Sequence, residues 1–242
     1  MPGSPRAFNR TAAALAVIAA TAAGCATPDV ATVHTTAVPT TNAPSADPGQ
    51  GRDLLAAASN NDAARVRELI GRGADLEGRD GRGATPLVAA TKNGATEAAR
   101  ALIEAGADVN AKDDLQDSAY LYAGAEGLDD ILELTLSHGA DVRSVNRYGG
   151  TALIPASEHG HVSTVRRLIA AGVDVNHVNK PQWTAMQEAV VYGDGSVKYQ
   201  QVVRALLDAG ADQSIRDSSG RTALDNAERL GQLQIAAILR AR

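Results

Sequence analysis

Residues 146–178 contain Asn146-Arg147-Tyr148-Gly149-Gly150-Thr151-Ala152-Leu153-Ile154-Pro155-Ala156, then Gly160-His161-Val162, Val165-Arg166-Arg167-Leu168-Ile169 and Ala171-Gly172-Val173-Asp174-Val175-Asn176. Neighbouring stretches repeat this unit with small changes. The Thr or Ser that opens each copy stands at Thr85, Ser118, Thr151 and Thr184, a constant spacing of 33 residues. A unit this short cannot bury its own apolar face, so the chain must gain stability by stacking one copy on the next.

Each position of the unit has a physical reason. The opening hydroxyl can accept from the free N–H groups of a first helix, and Pro86 falls at the first helical position, where its missing N–H costs nothing. A following Leu and Ala pair sets one large and one small apolar residue on the stacking face. Gly94, Gly127 and Gly160 suit a left-handed helix end. A second helix carries Ala101-Leu102-Ile103, Leu132 with Leu134 and Leu136, Leu168-Ile169 or Ala205-Leu206-Leu207, and stops at Gly106, Gly139, Gly172 and Gly210. The period and the Thr85-Pro86-Leu87-Val88-Ala89-Ala90 signature resemble ankyrin repeats. Ser118-Ala119-Tyr120, Thr151-Ala152-Leu153, Thr184-Ala185-Met186 and Thr222-Ala223-Leu224 are variants of that signature. The resemblance implies an all-α solenoid of helix-turn-helix units joined by β-hairpin loops, with a capping repeat at each end.

Working outward, the expected repeats lie at about 52–80, 81–113, 114–146, 147–179, 180–217 and 218–242. The first helix of the leading cap is expected near Asp53 to Ser59. Gln116 replaces the turn glycine of the third unit, beside Tyr120, Leu121 and Tyr122, so a distorted hairpin is expected there. Thr222 follows Thr184 by 38 residues, which places an insertion of about five near Gly193 to Tyr199, between the two helices. Gly150 to Ala156 with Glu158, Gly160 and His161, Val173 to Asn179, Trp183-Thr184-Ala185 and Gly193-Asp194-Gly195 are similar to a group of bacterial exported ankyrin proteins. In that group the connection between the helices of this repeat is longer.

Upstream, Arg6 and Arg10 precede an apolar run from Ala12 to Ala23, which reads as a targeting segment over residues 1–24. Ala22-Ala23-Gly24-Cys25 resembles a bacterial lipobox, which implies that Cys25 is lipidated and anchors the chain to the cell membrane. The alternative is ordinary cleavage after Ala20-Thr21-Ala22, because Ala22 stands where that motif usually has Leu. Residues 25–51 are rich in Thr, Ala and Pro and read as a disordered tether. Cys25 is the single cysteine, so an intrachain disulfide is excluded.

Catalytic signatures are missing: no Gly-rich phosphate loop, Cys pair or His-x-x-x-His occurs, and neither cofactor nor metal is expected. His159 and His161 flank Gly160, but the repeat pattern itself places a histidine at His161, and a zinc site needs further ligands. Removing Arg6 and Arg10 with the leader takes the formal charge from −5 to −7, which disfavours nucleic acid. The sequence therefore points to a monomeric, non-catalytic module that docks an exported or envelope protein. In ankyrin arrays the hairpin tips and the exposed face of the first helix form a concave surface, on which the candidate contacts are Arg82, Lys92, Leu115, Asp117, Glu126, Tyr148, Glu158, His159, Trp183 and Tyr192. Aromatics make up 3% of the chain, so three of them at such positions is informative, because Trp and Tyr are frequent interface anchors. Two other readings are an immunity-like or chaperone-like partner of one exported enzyme, and a small-molecule or cation binder centred on Glu158, His159, Glu188 and Asp194.

Cys25→Ser is expected to move the protein from the membrane to the soluble fraction in cell fractionation, with loss of acyl labelling. Unchanged membrane recovery would exclude Cys25 as the anchor.

Overall fold

A computed structural model describes residues 48–242, so Cys25, the expected leader and most of the expected tether lie outside the described residues. Among the described residues twelve helices follow in order: α1 Pro48–Ser59, α2 Ala63–Gly71, α3 Pro86–Lys92, α4 Thr96–Glu104, α5 Ala119–Glu126, α6 Asp129–Ser137, α7 Leu153–Glu158, α8 Val162–Ala170, α9 Ala185–Val191, α10 Val197–Asp208, α11 Ala223–Arg229 and α12 Leu233–Arg240. The first helix begins ahead of the expected Asp53, with Pro48 at a position where proline is tolerated.

The helices form six antiparallel pairs in two rows. One row stacks α1, α3, α5, α7, α9 and α11, and the other stacks α2, α4, α6, α8, α10 and α12. Two alanine columns let the first row pack closely. Ala90, Ala123, Ala156, Ala189 and Ala227 are all fully buried, and Ala119, Ala152, Ala185 and Ala223 are at most 2% exposed. Leu87, Tyr120, Leu153 and Met186 fill the space beside them, while Leu102, Leu132, Leu168 and Leu206 face them from the second row. Every described residue type in this seam is large in one column and small in the next, which is how interiors reach crystal-like density.

The expected β-hairpins are tight turns, and no strand forms among the described residues. At each tip a single carbonyl closes the loop: Ala84 to Asp80 at 3.0 Å, Asp117 to Asp113 at 3.0 Å, Gly150 to Asn146 at 2.9 Å, Trp183 to Asn179 at 3.0 Å and Arg221 to Asp217 at 2.8 Å. One crossing per tip is too short for a ladder. The expected distortion at Gln116 is not found. Gln116 and Gln182 take positive φ of 64° and 68°, in register with Gly83, Gly149 and Gly220, and keep the same turn bonds to Asp113 and Asn179 at 2.9 Å. The turn overrides a left-handed penalty of about 1–2 kcal/mol at each glutamine.

Thr85, Ser118, Thr184 and Thr222 cap their helices as the sequence implies, the last two in full capping boxes. Thr151 does not. Pro155 has no N–H to give the Thr151 carbonyl, so the Ile154 N–H bonds that carbonyl at 3.2 Å, and the buried Thr151 Oγ1 has no partner among the described residues. The insertion divides in two. The linker of α9 and α10 spans residues 192–196 against 93–95 in the second repeat, and α10 has 12 residues where α4 has 9. Tyr199 is buried, and its hydroxyl donates to the Glu158 carbonyl at 3.0 Å, while the Gln232 amide donates to the Val190 and Gly193 carbonyls. The insertion thus joins repeats four, five and six.

A Cβ at Gly124 of α5 would lie 2.7 Å from the Ala152 Cβ. Gly→Ala in a helix ordinarily stabilises by about 0.5–1 kcal/mol. Here Gly124→Ala is expected to destabilise by about 1–3 kcal/mol, because the backbones must part. Urea unfolding checks it, and adding Ala152→Gly should recover most of the loss.

Candidate functional site

The first helices and the turn tips of repeats three to five enclose a cleft of about 500 Å³. Tyr122 and Glu126 of α5, Pro155, Glu158 and His159 of the α7 segment, and Glu188 and Tyr192 of the α9 segment line it, with Asp117, Arg147, Tyr148 and Pro181 from the tips. Residues four apart on a helix share a face, which is why Tyr122 pairs with Glu126 and Glu188 with Tyr192. Of the ten candidate contacts, Asp117, Glu126, Tyr148, Glu158, His159 and Tyr192 come together here. Trp183 joins them at the rim, its ring 5.2 Å from that of Tyr192 and tilted by 44°. Arg82, Lys92 and Leu115 line a second cleft of about 390 Å³ between repeats two and three.

Asp and Asn at the turn entrances position the rim. The Asn146 side-chain oxygen accepts from the Tyr148 and Gly150 N–H groups at 2.9 and 3.0 Å, and that of Asn179 accepts from the Trp183 N–H at 2.8 Å. Such short polar side chains organise turns by bonding backbone two and four residues on. Asp80, Asp113, Asn146 and Asn179 carry the 33-residue spacing, which is the sequence signal for this turn role. Tyr148 is 54% exposed and Tyr192 59%, so both rings face solvent.

The cations near the cleft are committed. The Arg147 guanidinium lies 4.7 Å over the Tyr148 ring and 3.9 Å from Asp117. Lys92 reaches Asp113 at 2.5 Å and Asp117 at 3.1 Å, and sits 5.4 Å over the Tyr122 ring. Burial works against the Lys92 charge, but the two carboxylates outweigh it and hold its pKa above the ordinary lysine value. Glu126, Glu158 and Glu188 form no ion pair among the described residues.

Glu188 is 6% exposed and accepts one side-chain bond, from the Asn179 amide at 3.0 Å. Burial, reinforced by the Glu158 carboxylate, pushes its carboxyl up to about 7, against the opposing pull of Asn179 and His159. His159 turns its Nδ1 to the Ala125 carbonyl at 2.8 Å and stands edge-on to His161 at 5.5 Å. Burial, and then His159, lower the His161 pKa. Asp194 is apart from the other acids weighed as a cation site; it accepts from the Ser196 N–H at 2.9 Å and shapes the turn before α10. No group of three or more His, Cys, Asp and Glu is placed to hold a metal ion among the described residues.

A family model described as ankyrin repeats in three copies matches residues 37–113, 54–146 and 119–217. The crystal structure of an ankyrin repeat domain from Acinetobacter baumannii AYE is similar, with 52% identity and a TM-score of 0.76 over 78% of this chain and 96% of that one. The ankyrin repeat protein EF0377 also superposes with a TM-score of 0.76, at 43% identity over 78% of this chain and 97% of that one. A search of the curated proteins gave no match.

Glu188 links the site to stability. Its native pKa lies above the ordinary carboxylate value, so between the two the folded chain keeps a proton that the unfolded chain has lost. Its contribution to stability is therefore fully present below the unfolded pKa and is lost as pH rises toward 7. Glu188→Gln keeps an acceptor for Asn179 and removes the titration. The variant is expected to exceed wild type by on the order of 3 kcal/mol at about pH 8 and to match it near pH 4. Urea unfolding at both pH values measures this; equal gains at both would rule out the titration of Glu188 as the cause.

Proposed function

The chain belongs to the ankyrin repeat family, whose arrays are generally non-catalytic protein-interaction modules, and from that premise we propose that it docks another exported or envelope protein in the cleft of repeats three to five. The protein acts outside the cytoplasm, tethered to the membrane through Cys25. The observation that carries the docking reading is the convergence of Tyr122, Tyr148, Trp183 and Tyr192 on one concavity in a chain where aromatics make up 3% of residues. Two of these rings face water, and a partner that covers them would gain their hydrophobic area together with ring-specific contacts.

The rim is built for recognition rather than for chemistry. Its backbone is held by turn hydrogen bonds at Asn146 and Asn179, so docking requires little backbone reordering, which lowers the entropy lost on binding. The lipobox-like Ala22-Ala23-Gly24-Cys25 and the Thr/Ala/Pro-rich stretch after it support the tethered placement. Fully extended, a tether of that length reaches on the order of 80 Å.

Crosslinked capture from the native envelope tests the docking reading, using wild type, Tyr148→Ala and Trp183→Ala with Tyr148→Ala. Tyr148 is 54% exposed and its ring lies against the Arg147 guanidinium at the surface, so its single variant is expected to keep the fold. One protein captured by wild type should be weakened in the single variant and lost in the double, in which removal of two anchors costs at least about 2 kcal/mol, or about 30-fold in affinity. Equal capture by all three, with circular dichroism unchanged, would place the interface elsewhere.

A further inference from the structure

We propose that the cleft of repeats three to five receives a lysine or arginine side chain from a basic segment of the partner protein. The inference rests on the docking reading above and assigns the chemistry of the docked group. Charge complementarity carries it. Glu126, Glu158 and Glu188 line one concavity without an ion pair among the described residues, and the nearby cations, Arg147 and Lys92, are held by Asp117 and Asp113 and by the Tyr148 and Tyr122 rings.

A second observation concerns the surroundings of one member of that set, Glu188. Glu188 is more than nine-tenths buried, its only side-chain hydrogen bond among the described residues comes from a neutral amide, and it faces the cleft. A buried carboxylate without a cation is costly, and a partner cation is the group that would relieve it. The last repeat shows the alternative arrangement. There Asn226 occupies the equivalent helix position and donates to Asp217 at the turn at 2.8 Å, so the carboxylate sits outside the helix row. Repeat five reverses the pair and turns the acid toward the cleft. The aromatic walls suit the same guest, since an ammonium or guanidinium binds over a tyrosine or tryptophan face. Lys92 and Arg147 already make that contact within the chain. An apolar segment would bury three acids without partners, and an acidic one would be repelled.

Trp183 is the sole tryptophan and packs on Tyr192, so its fluorescence reports occupancy of the rim. Wild type is titrated at about pH 8, where Glu188 is charged, with capped peptides alternating Gly with Lys, Arg, Gln or Glu. The Lys and Arg peptides should give saturable changes and the Gln and Glu peptides none. Glu126→Gln, Glu158→Gln and Glu188→Gln together should weaken binding at least about tenfold, whereas Glu104→Gln with Asp130→Asn, acids outside the cleft, should not. Circular dichroism confirms that each variant is folded. Binding of the Gln peptide as tight as that of the Lys peptide, or equal weakening by both sets of variants, would overturn the inference. In the capture experiment, dependence on Trp183 and Tyr148 without dependence on the three glutamates would leave docking in place and remove the cation. Indifference to all five residues would remove both.

Discussion

Close approach between the first helices of successive repeats is the constraint on which the rest depends. Ala90, Ala123, Ala156, Ala189 and Ala227 are fully buried at corresponding positions of five repeats, and Gly124 meets Ala152 with no room for a methyl group. Small residues in this seam bring the outer faces of α5, α7 and α9 into one surface. Larger ones would separate Tyr122, Glu158 and Glu188 onto independent ridges, and the cleft would open. The same stacking supplies the burial that a single helix pair lacks.

The cleft combines rigid and uncompensated parts. Turn-entrance Asn146 and Asn179 hold the backbone under Tyr148 and Trp183, and Asp113 and Asp117 retain Lys92. Glu188, by contrast, is buried beside another carboxylate and, among the described residues, accepts its one side-chain bond from an amide. The cleft thus joins a frame whose turn bonds are made and one buried acid whose pKa is raised by burial. The insertion contributes to the frame, since Tyr199 and Gln232 bond carbonyls of neighbouring repeats.

Where sequence reasoning departed from the structure, a local rule met a stronger one. Thr151 carries the residue type of a cap, but Pro155 four positions on diverts the Ile154 N–H to the backbone carbonyl. Gln116 lacks the freedom of glycine, yet the turn bonds to Asp113 impose positive φ. The β-hairpins implied by the repeat pattern contract to single crossings. Tyr120, unusual in its position, is fully buried, with a hydroxyl that finds no partner among the described residues and a pKa raised by burial.

From the sequence alone, the fold was legible, because a 33-residue period with a capped helix start and glycine stops specifies a unit that only stacking can stabilise. Most of the candidate surface was legible too, since Tyr148, Trp183 and Tyr192 depart from a chain poor in aromatics. The grouping of those residues was not. Six candidates share one cleft while Arg82, Lys92 and Leu115 line another, and Lys92 turns to an ion cluster. Nor does the sequence show that Glu188 is buried beside Glu158. Burial and charge proximity are sums over residues some thirty positions apart, and these distances exist only once the repeats have stacked.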